Sequence, residues 1–100
     1  MKFKVIADVQ VTCDKCNHAF TLLAGSFIHD AWVCEKRSMG NEYEHVIGRT
    51  GECPRCKASY IVTVTAYEYP KDCINYKTEE VKGVTIRSPY SIPYEQVLND

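Results

Sequence analysis

Two C-x-x-C pairs constrain this chain more than any other feature of its sequence. Cys13 and Cys16 form the first pair, and Cys53 and Cys56 form the second. Two pairs of thiolates can close a tetrahedron around one metal ion and leave no coordination position open. The usual spacing between such pairs is about 15 to 20 residues; here 36 residues separate them, which indicates an inserted segment. We therefore expect these four cysteines to hold one structural Zn²⁺.

Disulfides and a redox-active pair are the alternatives for the cysteines. The first residues reach Asp8 before any apolar run of signal-peptide length, which predicts a cytoplasmic protein, and disulfides are rare in the cytosol. Residues with high β propensity follow both pairs, whereas a redox C-x-x-C normally opens a helix. Cys34 and Cys73 lie outside the pairs, and we expect them to be buried thiols. A second metal site that adds His29 and His45 to them is the alternative.

The chain repeats one unit at an offset of forty residues. Cys13 maps to Cys53 and Phe20 to Tyr60, and each unit consists of a strand, a cysteine turn and a returning strand. We call the two turns the first knuckle (residues 13–18) and the second knuckle (residues 53–58). The residue after the second cysteine often needs a left-handed backbone; these residues are Asn17, which tolerates it, and Lys57, which does so less readily. His18, two residues after Cys16, is expected to be a surface residue and not a ligand.

Alternating or clustered β-branched and aromatic residues predict the strands. They cover residues 2–12, 19–23, 43–48, 59–67 and 84–87. Periodicity does not distinguish a helix from a strand in the insertion, residues 24–41. Residues 79–83 are predicted as a polar turn, and residues 94–99 as at most one helical turn.

These elements predict a small β-rich fold, β or α+β. Two knuckle hairpins share one Zn²⁺, with an insertion between them and an extra C-terminal strand. One hundred residues suit a single domain, which we place at residues 1–87. Residues 88–100 are predicted to be a C-terminal tail, extended over residues 88–94 because Pro89 and Pro93 exclude a helix there. No apolar run of about 18 residues is present, which argues against a transmembrane helix.

The charge balance disfavours a protein that holds nucleic acid by bulk electrostatics. Twelve basic and thirteen acidic residues give a net charge of -1, and four thiolates (-4) with one Zn²⁺ (+2) would bring it to -3. Basic residues do flank the knuckles, and they define a nucleic-acid-binding zinc module as the alternative function. The candidate contacts are Lys15, Arg49, Arg55 and Lys57.

Aromatic residues of the insertion and of the last third favour a protein partner, because tyrosine and tryptophan are enriched at interfaces. An exposed edge strand would also permit sheet extension with a partner, including a second copy of this chain. No catalytic triad, phosphate-binding glycine loop or His-x-Glu motif is present, so we expect a non-enzymatic interaction module. The candidate partner-binding residues are Phe27, Trp32, Met39, Tyr67, Tyr69, Tyr90 and Tyr94.

Val11-Thr12-Cys13-Asp14-Lys15-Cys16 and Gly51-Glu52-Cys53-Pro54-Arg55-Cys56 resemble the two knuckles of a zinc ribbon. A second string is similar to small zinc-ribbon modules of bacteria and their phages, some of which accompany DNA-processing or restriction-type defence proteins. It comprises Arg37-Ser38-Met39-Gly40-Asn41-Glu42, the second knuckle, Glu68-Tyr69-Pro70 and Asn75-Tyr76. The resemblance implies an accessory or inhibitor role through a partner; zinc ribbons serve many functions, so the fold alone decides little.

Overall fold

Nine β-strands and one short 3₁₀ turn make up the fold, in a computed structural model that describes residues 2–38, 40–89 and 91–97. The prediction of a small β-rich fold is confirmed. The strands are β1 (Lys2–Val5), β2 (Val9–Cys13), β3 (Ala19–Leu22), β4 (Ile28–Arg37), β5 (Gly40–Glu52), β6 (Ser59–Glu68), β7 (Ile74–Lys82), β8 (Val84–Ser88) and β9 (Tyr94–Val97), with the 3₁₀ turn at Ala24–Ser26. All strand pairs are antiparallel.

The largest sheet has the order β4-β5-β6-β7, and β6 lies at its centre. Every even residue of β6 from Tyr60 to Glu68 is buried, and every odd residue from Ile61 to Tyr67 is half-buried. A strand with this alternation has one face on the core and one face open, because successive side chains point to opposite sides. We call the two sides the inner face and the outer face of the sheet.

Two smaller layers cover the inner face. The sheet β3-β2-β8 packs Val9, Val11 and Leu22 against the first half of β6. The pair β1-β9 covers the second half, where Phe3 packs on Ile47 and Ala66. The segment after β8 joins this packing, since Ile92 is buried in the core and β9 pairs with β1.

Gly83 is the point at which the chain passes from one sheet to the other. β7 before it pairs with β6, and β8 after it pairs with β2. Its φ angle is +82°, a conformation that side-chain-bearing residues rarely adopt. A Cβ at this position would lie 2.4 Å from the backbone oxygen of Ser59, so only glycine fits without movement of the start of β6.

Three predictions of local structure need correction. Residues 79–82, predicted as part of a polar turn, belong to β7, and residues 94–97, where a helical turn was predicted, form β9. The single strand predicted over residues 2–12 is two strands, because residues 6–8 leave the sheet. The insertion, left open between helix and strand, contains the 3₁₀ turn and β4. Across the described ranges, no helix is long and apolar enough to cross a membrane.

Candidate metal centre and the exposed sheet face

The two knuckles adopt the same backbone conformation. In the first, the N–H of Cys13 donates to the carbonyl of His18 (2.9 Å), and the N–H of Asn17 donates to the carbonyl of Cys13 (2.9 Å). In the second, the N–H of Cys53 donates to Ala58 (2.8 Å), and that of Lys57 to Cys53 (2.9 Å). Asn17 and Lys57 have φ angles of 61° and 65°. The left-handed residue expected after each second cysteine is therefore present in both halves of the repeat.

The knuckles bring four sulfur atoms together. The Sγ atoms of Cys13 and Cys56 lie 3.6 Å apart, and those of Cys16 and Cys53 lie 3.7 Å apart. All four lie within 4.8 Å of one another. Tetrahedral thiolates at about 2.3 Å from a zinc ion have sulfur–sulfur distances of about 3.8 Å. The arrangement therefore fits a four-coordinate ion, and the distances are far longer than the roughly 2.05 Å of a disulfide bond.

Backbone groups around the cluster favour thiolate at one of its members. Burial works to raise the pKa of Cys53, but the N–H groups of Cys56 and Arg55 and the neighbouring thiols lower it to about 6. The Arg55 N–H lies 3.4 Å from this sulfur. For Cys16, the N–H of His18 lowers the pKa, while burial and hydrogen bonds with the other three cysteines raise it to about 11. A bound divalent cation would stabilise the thiolate form of the four cysteines, because its positive charge offsets their negative charges.

No family model, curated protein or solved structure matches this chain. The assignment of a metal-binding site therefore rests on the geometry of the four cysteines alone.

Cys34, Cys73, His29 and His45 lie away from this cluster, and His18, although in the first knuckle, is not among the four converging side chains. Within the described ranges, the four knuckle cysteines are the one group whose side chains converge as a metal site would require. Cys34 and Cys73 are exposed, so the prediction that they are buried thiols is wrong; both lie on an edge strand or a turn that no other layer covers. His29 and His45 stack on each other below the sheet, with ring centroids 5.6 Å apart.

His45 belongs to a buried hydrogen-bonded pair that the sequence did not indicate. Its Nε2 lies 2.7 Å from Oε1 of Glu68, and both side chains are about 95% or more buried. The other carboxylate oxygen of Glu68 accepts the backbone N–H of Asp72 at 2.7 Å. Burial works to raise the pKa of Glu68, but these two hydrogen bonds and the nearby imidazole lower it below its usual value.

The four candidate nucleic-acid contacts are divided between two environments. Lys15, Arg55 and Lys57 are exposed on the knuckles, which the cysteine cluster brings to one end of the sheet. Arg49 is engaged within the fold, because it donates to the hydroxyl of Ser26 (3.2 Å) and to the carbonyl of Thr50, and lies over the ring of Tyr60.

The structure places the predicted partner-binding residues on different surfaces. Phe27 and Tyr94 pack against the core on the inner face, and Arg37 covers the ring of Tyr69 at 4.1 Å. Met39 and Tyr90 lie outside the described residues. Trp32 and Tyr67, in contrast, both lie on the outer face of the four-stranded sheet, by the alternation of β4 and β6. Trp32 is 46% exposed.

The strand register reveals two further residues of this surface. Trp32 pairs with Glu44, Glu44 with Tyr67, and Tyr67 with Tyr76. These four residues form one row across all four strands, which we call the aromatic row. The rings of Tyr67 and Tyr76 stack with centroids 4.4 Å apart, and Tyr76 is 51% exposed. Sequence reasoning missed Glu44 and Tyr76, because only the register of three hairpins brings them beside the predicted pair.

Proposed function

We propose that this chain is a non-enzymatic interaction module in which one structural Zn²⁺ joins the two knuckles and the outer sheet face binds a protein partner. The observation that carries the metal assignment is the convergence of four Sγ atoms within 4.8 Å, with two of their distances, 3.6 and 3.7 Å, close to the edge of a tetrahedron of zinc-bound thiolates. Such a site has no position for substrate or water, so its expected role is to stabilise the fold. The likeness of the knuckles to a zinc ribbon agrees with this assignment.

The partner surface is proposed from exposure and shape. The outer face carries Trp32, Tyr67 and Tyr76 in one row, with Ile28 exposed further along β4. Aromatic side chains that stand exposed on a flat sheet are suited to a protein interface, because each supplies a large contact area at a small cost in side-chain entropy. The row lies roughly 24 Å from Tyr60 along β6, well away from the metal centre.

The metal is tested by elemental analysis of the purified protein. We expect one zinc per chain, and a cobalt-substituted form with the absorption of four thiolates. Cys53→Ser should lose the metal, while Cys34→Ser, the same change outside the cluster, should retain it. One iron per chain would contradict the zinc assignment, because four thiolates also suit iron.

The partner is tested by affinity capture with the tagged zinc-loaded protein, with and without nuclease. We expect a captured protein that survives nuclease and is lost with Trp32→Ala. Leu23→Ala, at an apolar residue exposed to 60% elsewhere on the molecule, is the matched control and should retain it. Solution mass measurement of the free chain tests the related case of a second copy.

Nucleic acid remains the alternative, supported by the three exposed cations of the knuckles. Affinity that falls steeply with salt and is reduced by Lys15→Ala and Arg55→Ala, with Trp32→Ala unaffected, would favour it. A protein interface centred on aromatic residues should depend much less on salt.

A further inference from the structure

The aromatic row contains a carboxylate between aromatic rings. Glu44 is directly opposite Trp32 on one side and Tyr67 on the other. Residues paired across neighbouring strands have Cβ atoms about 4.5 to 5.5 Å apart, so all three side chains rise from one small area of the sheet. Interaction of the Tyr67 hydroxyl with Glu44, burial, and the negative charge of Glu44 raise the pKa of Tyr67 to about 12.

The charges on this face are unbalanced in one direction. Asp30 and Glu44 both point to the outer face, and among the residues that the structure describes no basic side chain lies within 4.0 Å of either carboxylate. The described basic residues on this face are Arg37, which pairs with Glu42 at 3.4 Å near the aromatic row, and Lys82, which pairs with Glu80 at 3.4 Å near the other end. The carboxylates of this face would therefore attract a cation placed at the aromatic row and repel a phosphate.

The chain already places two of its own cations on tyrosine rings, one near this surface and one on the inner face of the sheet. The guanidinium of Arg37 lies 4.1 Å from the ring centroid of Tyr69, and the ammonium of Lys77 lies 5.3 Å from that of Tyr94. A cation within about 6 Å of a ring centroid is attracted by the π system, most strongly for tryptophan. Above Glu44, a cation would have Trp32 and Tyr67 on its two sides and the carboxylate below.

From this juxtaposition we infer that the aromatic row is a recognition site for a lysine or arginine side chain of a protein partner, held by Glu44 between Trp32 and Tyr67. The inference rests on the proposed function and adds the chemistry of the partner: a basic, extended segment lying across the outer face. Ile28 and Tyr76 flank the site and would contact the apolar stems of such side chains.

Trp32 provides a direct measurement, because it is the single tryptophan of the chain. The zinc-loaded protein is titrated with a nine-residue blocked peptide in which serine and lysine alternate, and its tryptophan emission is recorded. We expect a saturable change in emission with the lysine peptide and none with the matching glutamate peptide. A lysine peptide that causes no saturable change, or a glutamate peptide that binds equally well, would overturn the inference.

Glu44→Gln tests the carboxylate itself. The amide oxygen of the new glutamine can still act as an acceptor for the Tyr67 hydroxyl, so the fold should be retained. Circular dichroism and the melting temperature will verify this. We expect its affinity for the lysine peptide to fall at least tenfold, and Glu44→Lys to bind the glutamate peptide in its place. Glu79→Gln, on the opposite face of β7, is the control and should stay within twofold of the native protein. Equal affinity of Glu44→Gln and the native chain would refute the role of Glu44.

The two proposals fail in different ways when a captured partner is assayed with both variants. Loss of the partner with both Trp32→Ala and Glu44→Gln supports the cationic ligand. Loss with Trp32→Ala alone overturns the cationic ligand and leaves the protein interface in place. Retention with both overturns the interface as well. A single-stranded oligonucleotide that binds Trp32 more tightly than the lysine peptide would also overturn the inference, in favour of nucleic acid.

Discussion

At the scale of single residues, each knuckle turns through one residue with a positive φ angle, Asn17 in the first and Lys57 in the second. The need for a left-handed residue after each second cysteine follows from the turn itself, and both Asn17 and Lys57 adopt it. The left-handed conformation costs less conformational energy at Asn17 than at Lys57, because the short polar side chain of asparagine tolerates it more readily than the lysine side chain does. Lys57 is therefore a position where the sequence departs from the best local choice.

Lys57→Gly should stabilise the protein. Glycine removes the steric cost of the left-handed region and loses part of that gain through its greater freedom in the unfolded chain, so we expect about 0.5 kcal/mol more free energy of unfolding. Asn17→Gly, the equivalent change in the first knuckle, should have a smaller effect. Denaturant unfolding of the zinc-loaded proteins measures both; a larger gain from Asn17→Gly would contradict this account.

Gly83→Ala should be strongly destabilising. The added Cβ would meet the Ser59 oxygen at 2.4 Å and the Cα of Tyr60 at 3.1 Å, and backbone atoms cannot rotate away. These contacts and the left-handed φ angle should together lower the free energy of unfolding by at least about 2 kcal/mol. Gly25→Ala is the matched control, since nothing lies within 4 Å of its added Cβ. Equal midpoints of unfolding for the two variants would show that the start of β6 moves to accept the side chain.

At the scale of elements, the strand that the sequence predicted best is the one with both signals, alternation and β-branched residues. The prediction of residues 59–67 differs from β6 by one residue at its end. β4 gave no such signal because nothing covers it: of its ten residues, only His29 is even half-buried. Residues 79–82 of β7 were predicted as part of a turn because Glu79 and Glu80 face solvent on the sheet edge. Exposed edge strands have little selection for an apolar face, so pattern analysis fails there.

The buried pair between β5 and β6 is a second element-scale feature that pattern analysis could not provide, because its partners are 23 residues apart and meet only in the register of the hairpin. Glu68→Gln should lower the free energy of unfolding by about 2 kcal/mol. The carboxylate accepts from both His45 and the N–H of Asp72, whereas the glutamine side chain has one acceptor oxygen. One of these two donors would then be buried against the amide N–H₂ group without an acceptor. Glu79→Gln, on an exposed strand, should change stability by less than about 0.5 kcal/mol. Thermal unfolding of both variants checks this, and equal stabilities would mean that the amide satisfies both donors.

At the scale of the whole molecule, the cysteine cluster joins two layers that also share a buried apolar core. The first knuckle belongs to the sheet β3-β2-β8 and the second to the hairpin of β5 and β6. Gly83 lies between the first knuckle and the start of β6, and its carbonyl accepts the Asp14 N–H at 3.1 Å. Convergence of the four cysteines could be predicted from their spacing, because the chemistry of one ion requires it. The aromatic row could not, because it depends on the registers of three strand pairs at once.

Metal removal should therefore unfold the whole chain and not only the knuckles. Structural zinc in finger peptides contributes about 10 to 16 kcal/mol of apparent binding free energy, which is comparable to the roughly 5 to 15 kcal/mol that stabilises a typical domain. β6 runs without interruption from the second knuckle to the aromatic row, so loss of the knuckle should spread along the sheet. We expect a chelator, or Cys53→Ser, to abolish the β-sheet circular dichroism and to shift the Trp32 emission together. Cys34→Ser should change neither. A chelated protein that loses its metal but retains both signals and its melting temperature would show that the three apolar layers hold the fold without the ion.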